Sequence, residues 1–183
     1  MRPELLKQEE KGRIRKNIRI LIVGIPNVGK SSFINRIAKR NTATVGNKPG
    51  ITKQKQWIRI ENNIELLDTP GVLWPKFESQ EVALHLAYIG TIKDEVIDEI
   101  EVAYYLLKFL YENYKNELLM RYKIEEQEIV QNDDLLVGLM NLIGKKRGAL
   151  LAGGKIDEFK TAKLILDDFR TGKIGKITLE HIK

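Results

Sequence analysis

The chain has 183 residues, of which 43% are hydrophobic and 31% charged, with a net charge of +6 and no cysteine. That length allows one domain or two small ones with a proper core, while the missing cysteine excludes disulfides, thiolate chemistry and cysteine-based zinc sites. Apolar runs such as Ile20 to Val23 and Val102 to Leu107 fall far short of the ~20 residues that cross a bilayer, and the N-terminus has no signal-peptide core, so no membrane partner and a cytoplasmic setting are expected.

Residues 1–17 are polar and basic and read as a linker. Ile18 to Val23 is a short β-branched run ending in a glycine loop, the profile of a buried strand. A helix is predicted over Lys30 to Arg40, with Phe33, Ile34, Ile37 and Ala38 inward. Gly46, Pro49 and Gly50 make Asn41 to Lys53 a loop. Trp57 to Ile60 and Ile64 to Leu67 read as strands joined by Asn62-Asn63, a pair that tolerates the positive φ of tight hairpins.

Beyond Pro75 helical patterns replace strands. Val96, Ile100, Ala103, Leu107, Leu110 and Tyr114 recur at spacings of three and four, which predicts an amphipathic helix over Asp94 to Lys115. Further helices are predicted over Asp134 to Ile143, stopped by Gly144, and over Asp157 to Thr171, with Asp157 as N-cap and Gly172 past the end. The expected division is a nucleotide-binding domain at 18–90 and a helical domain at 91–183.

Three features carry chemistry. Gly24-Ile25-Pro26-Asn27-Val28-Gly29-Lys30-Ser31, followed by Ser32, satisfies the P-loop pattern between a predicted strand and a predicted helix. Its N–H groups would converge on phosphates at the helix N-terminus, with Lys30 on the β and γ phosphates and Ser31 on magnesium. Asp68-Thr69-Pro70-Gly71 follows the run Ile64 to Leu67. A strand-end aspartate suits magnesium through a water, and Gly71 leaves its N–H free to approach a γ-phosphate. The combination favours a GTPase over an ATPase, because the adjacent acidic pair of many ATPases is missing. Thr52, in the loop between the two motifs, could complete the magnesium shell while a γ-phosphate is present and release it after hydrolysis.

The stretches GIPNVGKSSFINRIAKR from Gly24, VGNKPGITKQKQW from Val45, LLDTPGVLWPKFESQEVALHLA from Leu66, GKKRGALLAGG from Gly144 and LDDFRTGKIGKITLE from Leu166 together resemble the ribosome biogenesis GTPase A (YlqF-type) family of circularly permuted GTPases. The resemblance implies an α/β fold: a partial, circularly permuted, Ras-like P-loop sheet followed by an all-α domain. It also implies GTP and GDP as ligands and the large ribosomal subunit with its ribosomal RNA as partner. The guanine-recognising Asn-Lys-x-Asp motif, which permuted members place before the P-loop, does not occur in this chain. The expectation is therefore a family member lacking its N-terminal portion. Val72 stands where many GTPases carry a water-orienting glutamine. By the resemblance, Asn27 would instead help to hold a potassium ion between the β and γ phosphates.

Charge is segregated. Residues 1–60 hold 15 Lys and Arg against 3 acids, residues 61–144 hold 6 against 17, and residues 145–183 hold 10 against 5. Basic ends suit a phosphate backbone, and Lys145, Lys146, Arg147, Lys155, Arg170, Lys173 and Lys176 form the expected RNA footprint. DNA is not expected. Two other readings remain open at this stage, a non-catalytic RNA-binding module with weak nucleotide affinity and a P-loop ATPase or kinase. His85 and His181 sit in no catalytic motif and read as structural.

Overall fold

A computed structural model describes residues 18–38, 54–61, 64–73, 76–77, 79–129 and 134–180. Thr52 and its loop, the 1–17 linker, the Asn62-Asn63 turn and His181 lie outside them. The chain divides into two compact units, Met1–Trp74 and Pro75–Lys183. This places the boundary before, not after, residues 75–90.

In the first unit β1 (Ile18–Ile22), α1 (Lys30–Ala38), β2 (Gln56–Glu61) and β3 (Ile64–Asp68) form a three-stranded sheet in the order β1-β3-β2 with one helix. β3 runs parallel to β1 and antiparallel to β2, whose register shifts between Arg59 and Glu61. Ile34 of α1 packs on Ile58 and Leu66, a core of three buried side chains with Ile22, Ala38 and Ile60 around it. The profile of β1 suggested a buried strand, and the structure corrects that. Among the described residues β1 lies at the sheet edge with β3 as its neighbour, and Ile20, Leu21 and Val23 are 38%, 56% and 70% exposed. Phe33 and Ile37, expected inward, are exposed as well.

The second unit is helical: α2 (Gln80–Tyr88), α3 (Glu99–Asn113), α4 (Lys115–Tyr122), α5 (Leu135–Arg147) and α6 (Glu158–Arg170). α3 is its centre, packed on α2, α5 and α6. Ala103, Leu106, Leu107 and Leu110 are fully buried there, each leucine worth about 2 kcal/mol of transfer free energy. The start of α3 differs from expectation. The helix begins at Glu99 rather than Asp94, with Asp98 as N-cap accepting from the Ile100 and Glu101 N–H groups at 2.9 and 3.2 Å, and Val96 is left 75% exposed in a short 3-10 turn. α2, which its nine residues left unrecognised, opens on Ser79, whose hydroxyl accepts from Val82 N–H.

α5 runs through Gly144, the expected stop, and ends at Gly148 in the left-handed region (φ 67). Gly144 serves a helix crossing instead, because a Cβ there would lie 2.7 Å from Thr161 Oγ1 and 2.8 Å from Ile156 Cγ2. α6 matches expectation, with Asp157 accepting from Lys160 N–H at 2.9 Å and Gly172 at φ 71. His85 is buried, with Nδ1 3.1 Å from Glu180 Oε1. Among the described residues no helix is long and apolar enough to cross a membrane.

Candidate functional site

Parallel pairing sets Ile22 at the end of β1 beside Asp68 at the end of β3. Two motifs more than forty residues apart in sequence therefore leave the sheet side by side. Thr69 fixes the junction by donating its hydroxyl to Ile22 O at 2.7 Å. Within the P-loop Asn27 and Gly29 adopt positive φ, 61° and 87°. Asparagine tolerates that region better than most side-chain-bearing residues. The turn closes into α1 through Phe33 N–H to Gly29 O at 2.8 Å.

Lys30 folds back over the loop, its ammonium donating to Gly24 O at 3.1 Å and Ile25 O at 2.8 Å. Burial lowers its pKa, against an opposing pull from the Asp68 charge. Ser31 donates its hydroxyl to Asp68 Oδ2 at 3.0 Å. Asp68 is fully buried, and its Oδ1 has no hydrogen-bond partner among the described residues. A buried carboxylate oxygen left unsatisfied costs roughly 1–3 kcal/mol or more, so a cation or its bound water is the partner this oxygen fits.

No cluster of three or more His, Cys, Asp or Glu suited to a metal occurs among the described residues. Asp68 and Ser31 are hard oxygen donors that suit magnesium, which commonly takes one or two protein ligands, several waters and phosphate oxygens. The rest of such a shell would come from a bound nucleotide. Gly71 completes the site by close approach, since a Cβ on it would fall 2.4 Å from both Pro26 Cα and Pro26 N. The segment after β3 thus rests backbone to backbone on the P-loop. Val28 and Val72 are exposed, and neither side chain can orient a water.

The expected RNA footprint divides in two. Arg170 donates to Tyr88 O and Ala87 O at 3.1 and 3.0 Å, capping α2. Lys146 holds Lys123 O and Glu128, 2.7 Å away. Arg147 lies 3.7 Å from Asp168 and over the Tyr122 ring, and Lys173 lies 3.3 and 3.5 Å from Asp167 and Asp168. Lys145, Lys155 and Lys176 are exposed. The residue that sequence reasoning missed is Asp168, 4% exposed and gripped by Arg121 at 2.9 and 3.1 Å. A contact spanning 47 residues leaves no local spacing to read.

Comparison with known proteins yields concordant matches. Residues 19–141 match a family profile described as 50S ribosome-binding GTPase. The chain is 49% identical over 174 residues to the ribosome biogenesis GTPase A of Bacillus licheniformis, covering 95% of this chain and 60% of that protein. It is 47% identical over 182 residues to the Bacillus pumilus protein of the same name, covering 97% and 63%. The crystal structure of GNP-bound YlqF from T. maritima superposes with a TM-score of 0.55 at 27% identity, covering 96% of this chain and 64% of that one. The chain thus spans about 60% of the length of the relatives it matches.

Proposed function

Because the chain belongs to the 50S ribosome-binding GTPase family, we propose that it binds and hydrolyses GTP as a switch in the assembly of the large ribosomal subunit, in the cytoplasm. The observation that supports this best is the buried Oδ1 of Asp68, without a hydrogen-bond partner among the described residues, beside Ser31 and Lys30. In this reading the P-loop from Gly24 to Ser32 cradles the phosphates, and Lys30 exchanges two loop carbonyls for the β and γ oxygens. Ser31, Thr52 and Asp68 would hold magnesium. Magnesium, when bound, neutralises charge on the β and γ phosphates.

Gly71 would read the γ-phosphate with its N–H, so that loss of the phosphate on hydrolysis frees the segment. A water attacks the γ-phosphorus, the bond to the β-bridging oxygen breaks, and GDP and phosphate leave. The guanine-selecting motif is absent from these 183 residues, so guanine selectivity is tested directly by comparing GDP with ADP. A second reading, a ribosome-binding module with weak nucleotide affinity, is favoured by the small buried core that the described residues of the nucleotide-binding unit form around Ile34.

Fluorescent GDP and ADP titrations on the full chain decide between these readings. Lys30→Ala should weaken nucleotide binding on the order of 100-fold, and Asp68→Asn should abolish the gain in affinity from added magnesium. Equal binding by wild type and Lys30→Ala rules out the site. Nucleotide binding without turnover leaves the second reading standing.

Asn27, in its left-handed turn at the loop, is proposed as the potassium ligand. Hydrolysis should then run faster in potassium than in sodium, on the order of 10-fold, which corresponds to about 1.4 kcal/mol off the barrier. Asn27→Ala should erase the difference. Turnover indifferent to both changes sinks the potassium role.

A further inference from the structure

Four of the seven cations in the expected footprint are committed to internal contacts, which leaves the question of what surface meets RNA. Gly144 abuts Ile156 and Thr161, so the end of α5 and the start of α6 share one corner. The chain between them folds into a small hairpin. Leu150 bridges to Ile156, Leu151 N–H donates to Lys155 O at 2.8 Å, and Asp157 N–H donates to Ala149 O at 2.9 Å. At the hairpin tip Gly153 and Gly154 take φ of 82° and 78° with nothing within 4 Å of where a Cβ would stand.

Lys145, Lys155 and Lys160 lie on this corner, exposed and without an ion pair among the described residues. Phe159 is 51% exposed next to Lys160 in the first turn of α6, and Leu151 is 54% exposed. Lys163 sits 4.3 Å from the Phe159 ring centroid. Two acids belong to the same stretch. Asp157 is occupied as the α6 N-cap, and Glu158 is exposed, so the corner remains net positive.

We propose that unpaired RNA docks on this corner, with Lys145, Lys155 and Lys160 on successive phosphates and a base stacked against Phe159, while Lys146, Arg147, Arg170 and Lys173 hold the helical unit together. This rests on the ribosome-binding role proposed above and assigns its contact surface. The lysines supply the sequence-independent charge term. The half-open aromatic ring is what selects unpaired RNA, because a base stacked within a duplex has no free face to offer. The bare glycine tip lets sugar and phosphate approach the backbone without meeting a side chain.

The test uses the full chain with three probes: a labelled mixed-sequence single-stranded RNA, the same RNA annealed to its complement, and purified large ribosomal subunits. For the triple variant Lys145→Glu, Lys155→Glu, Lys160→Glu, the slope of log affinity against log salt should fall by about 2, from ~0.7 per lost phosphate contact. The corresponding triple glutamine variant should reproduce the change in slope with a smaller loss of affinity, which controls for introduced repulsion. Phe159→Ala should weaken single-strand binding on the order of 10-fold and leave duplex binding and the salt slope unchanged.

Lys173→Gln should lower thermal stability and leave the slope intact. An unaltered slope in both triple variants, with wild type binding, overturns the surface and spares the ribosome-binding role. Equal loss of single-strand and duplex binding in Phe159→Ala overturns the stacking contact. Failure of wild type to bind subunits or either RNA removes the role itself.

Discussion

Asp168→Ala is expected to destabilise the helical unit by about 3 kcal/mol, the typical cost of removing one partner from a buried charge cluster, measured as a lower urea midpoint of the helical circular dichroism signal. The carboxylate is 4% exposed and receives Arg121 on both oxygens, at 2.9 and 3.1 Å, with Arg147 at 3.7 Å and Lys173 at 3.5 Å. Truncation leaves these cations facing one another, and Arg147 also loses its anchor over the Tyr122 ring. Asp167, one residue away, pairs with Lys173 at the surface with its side chain 59% exposed. Asp167→Ala should therefore shift stability by less than about 0.5 kcal/mol.

The Asp168 cluster also predicts a pH dependence of known sign. Burial acts to raise the Asp168 pKa, but the Arg121 hydrogen bonds and the charges of Arg121, Arg147 and Lys173 outweigh it and hold the group below its ordinary value. A carboxylate whose folded pKa is depressed stabilises the fold fully above its unfolded value, near 3.9, and loses that contribution as pH falls through the folded value. Wild type should lose stability on acidification below about pH 4, and Asp168→Asn should show a shallower loss over the same range. Parallel acid limbs in the two proteins contradict the assignment.

The legible parts of the sequence were those that act locally. A glycine-rich turn, the lysine that follows it and a strand-end aspartate each announce a backbone requirement or a ligand preference within a few residues. Their convergence follows from the parallel β1–β3 pair, which brings both C-terminal ends to one side. What failed were inferences that needed a neighbour. Gly144 looks like a helix stop because glycine commonly is one, yet it permits α5 and α6 to touch.

The apolar spacing that begins at Val96 reads as helix from Asp94, yet the helix starts at Glu99 under the Asp98 cap and leaves Val96 exposed. The apolar run of β1 reads as buried, but burial depends on strands and helices beside it, and among the described residues the sheet gives it β3 alone. Basic residues near the C-terminus show their charge in the sequence and hide their partners. Arg147 and Lys145, two residues apart, have opposite fates because one faces Asp168 and the other faces solvent.

Gly71→Ala is expected to reduce GTP turnover on the order of 100-fold while GDP affinity stays within about threefold. The added methyl would stand 2.4 Å from Pro26 Cα and N and 2.9 Å from Ile25 C. All three are backbone atoms, which cannot swing aside as the end of a side chain can, so the segment after β3 must retreat from the P-loop by the order of 1 Å. A displacement of that size is enough to cost about 100-fold where a reacting group is positioned by hydrogen bonds. In the proposed mechanism the group affected is the Gly71 N–H, which contacts only the γ-phosphate.

In the proposed mechanism a diphosphate would be held by Gly29, Lys30 and Ser31, and Thr69 still ties β3 to β1 through Ile22 O, so GDP should bind almost as before. Rapid-quench turnover and GDP titration on the same preparation separate the alternatives. A parallel loss of GDP affinity means that the P-loop, not the Gly71 segment, gave way. Wild-type turnover means that the close contact with Pro26 plays no part in reading the γ-phosphate.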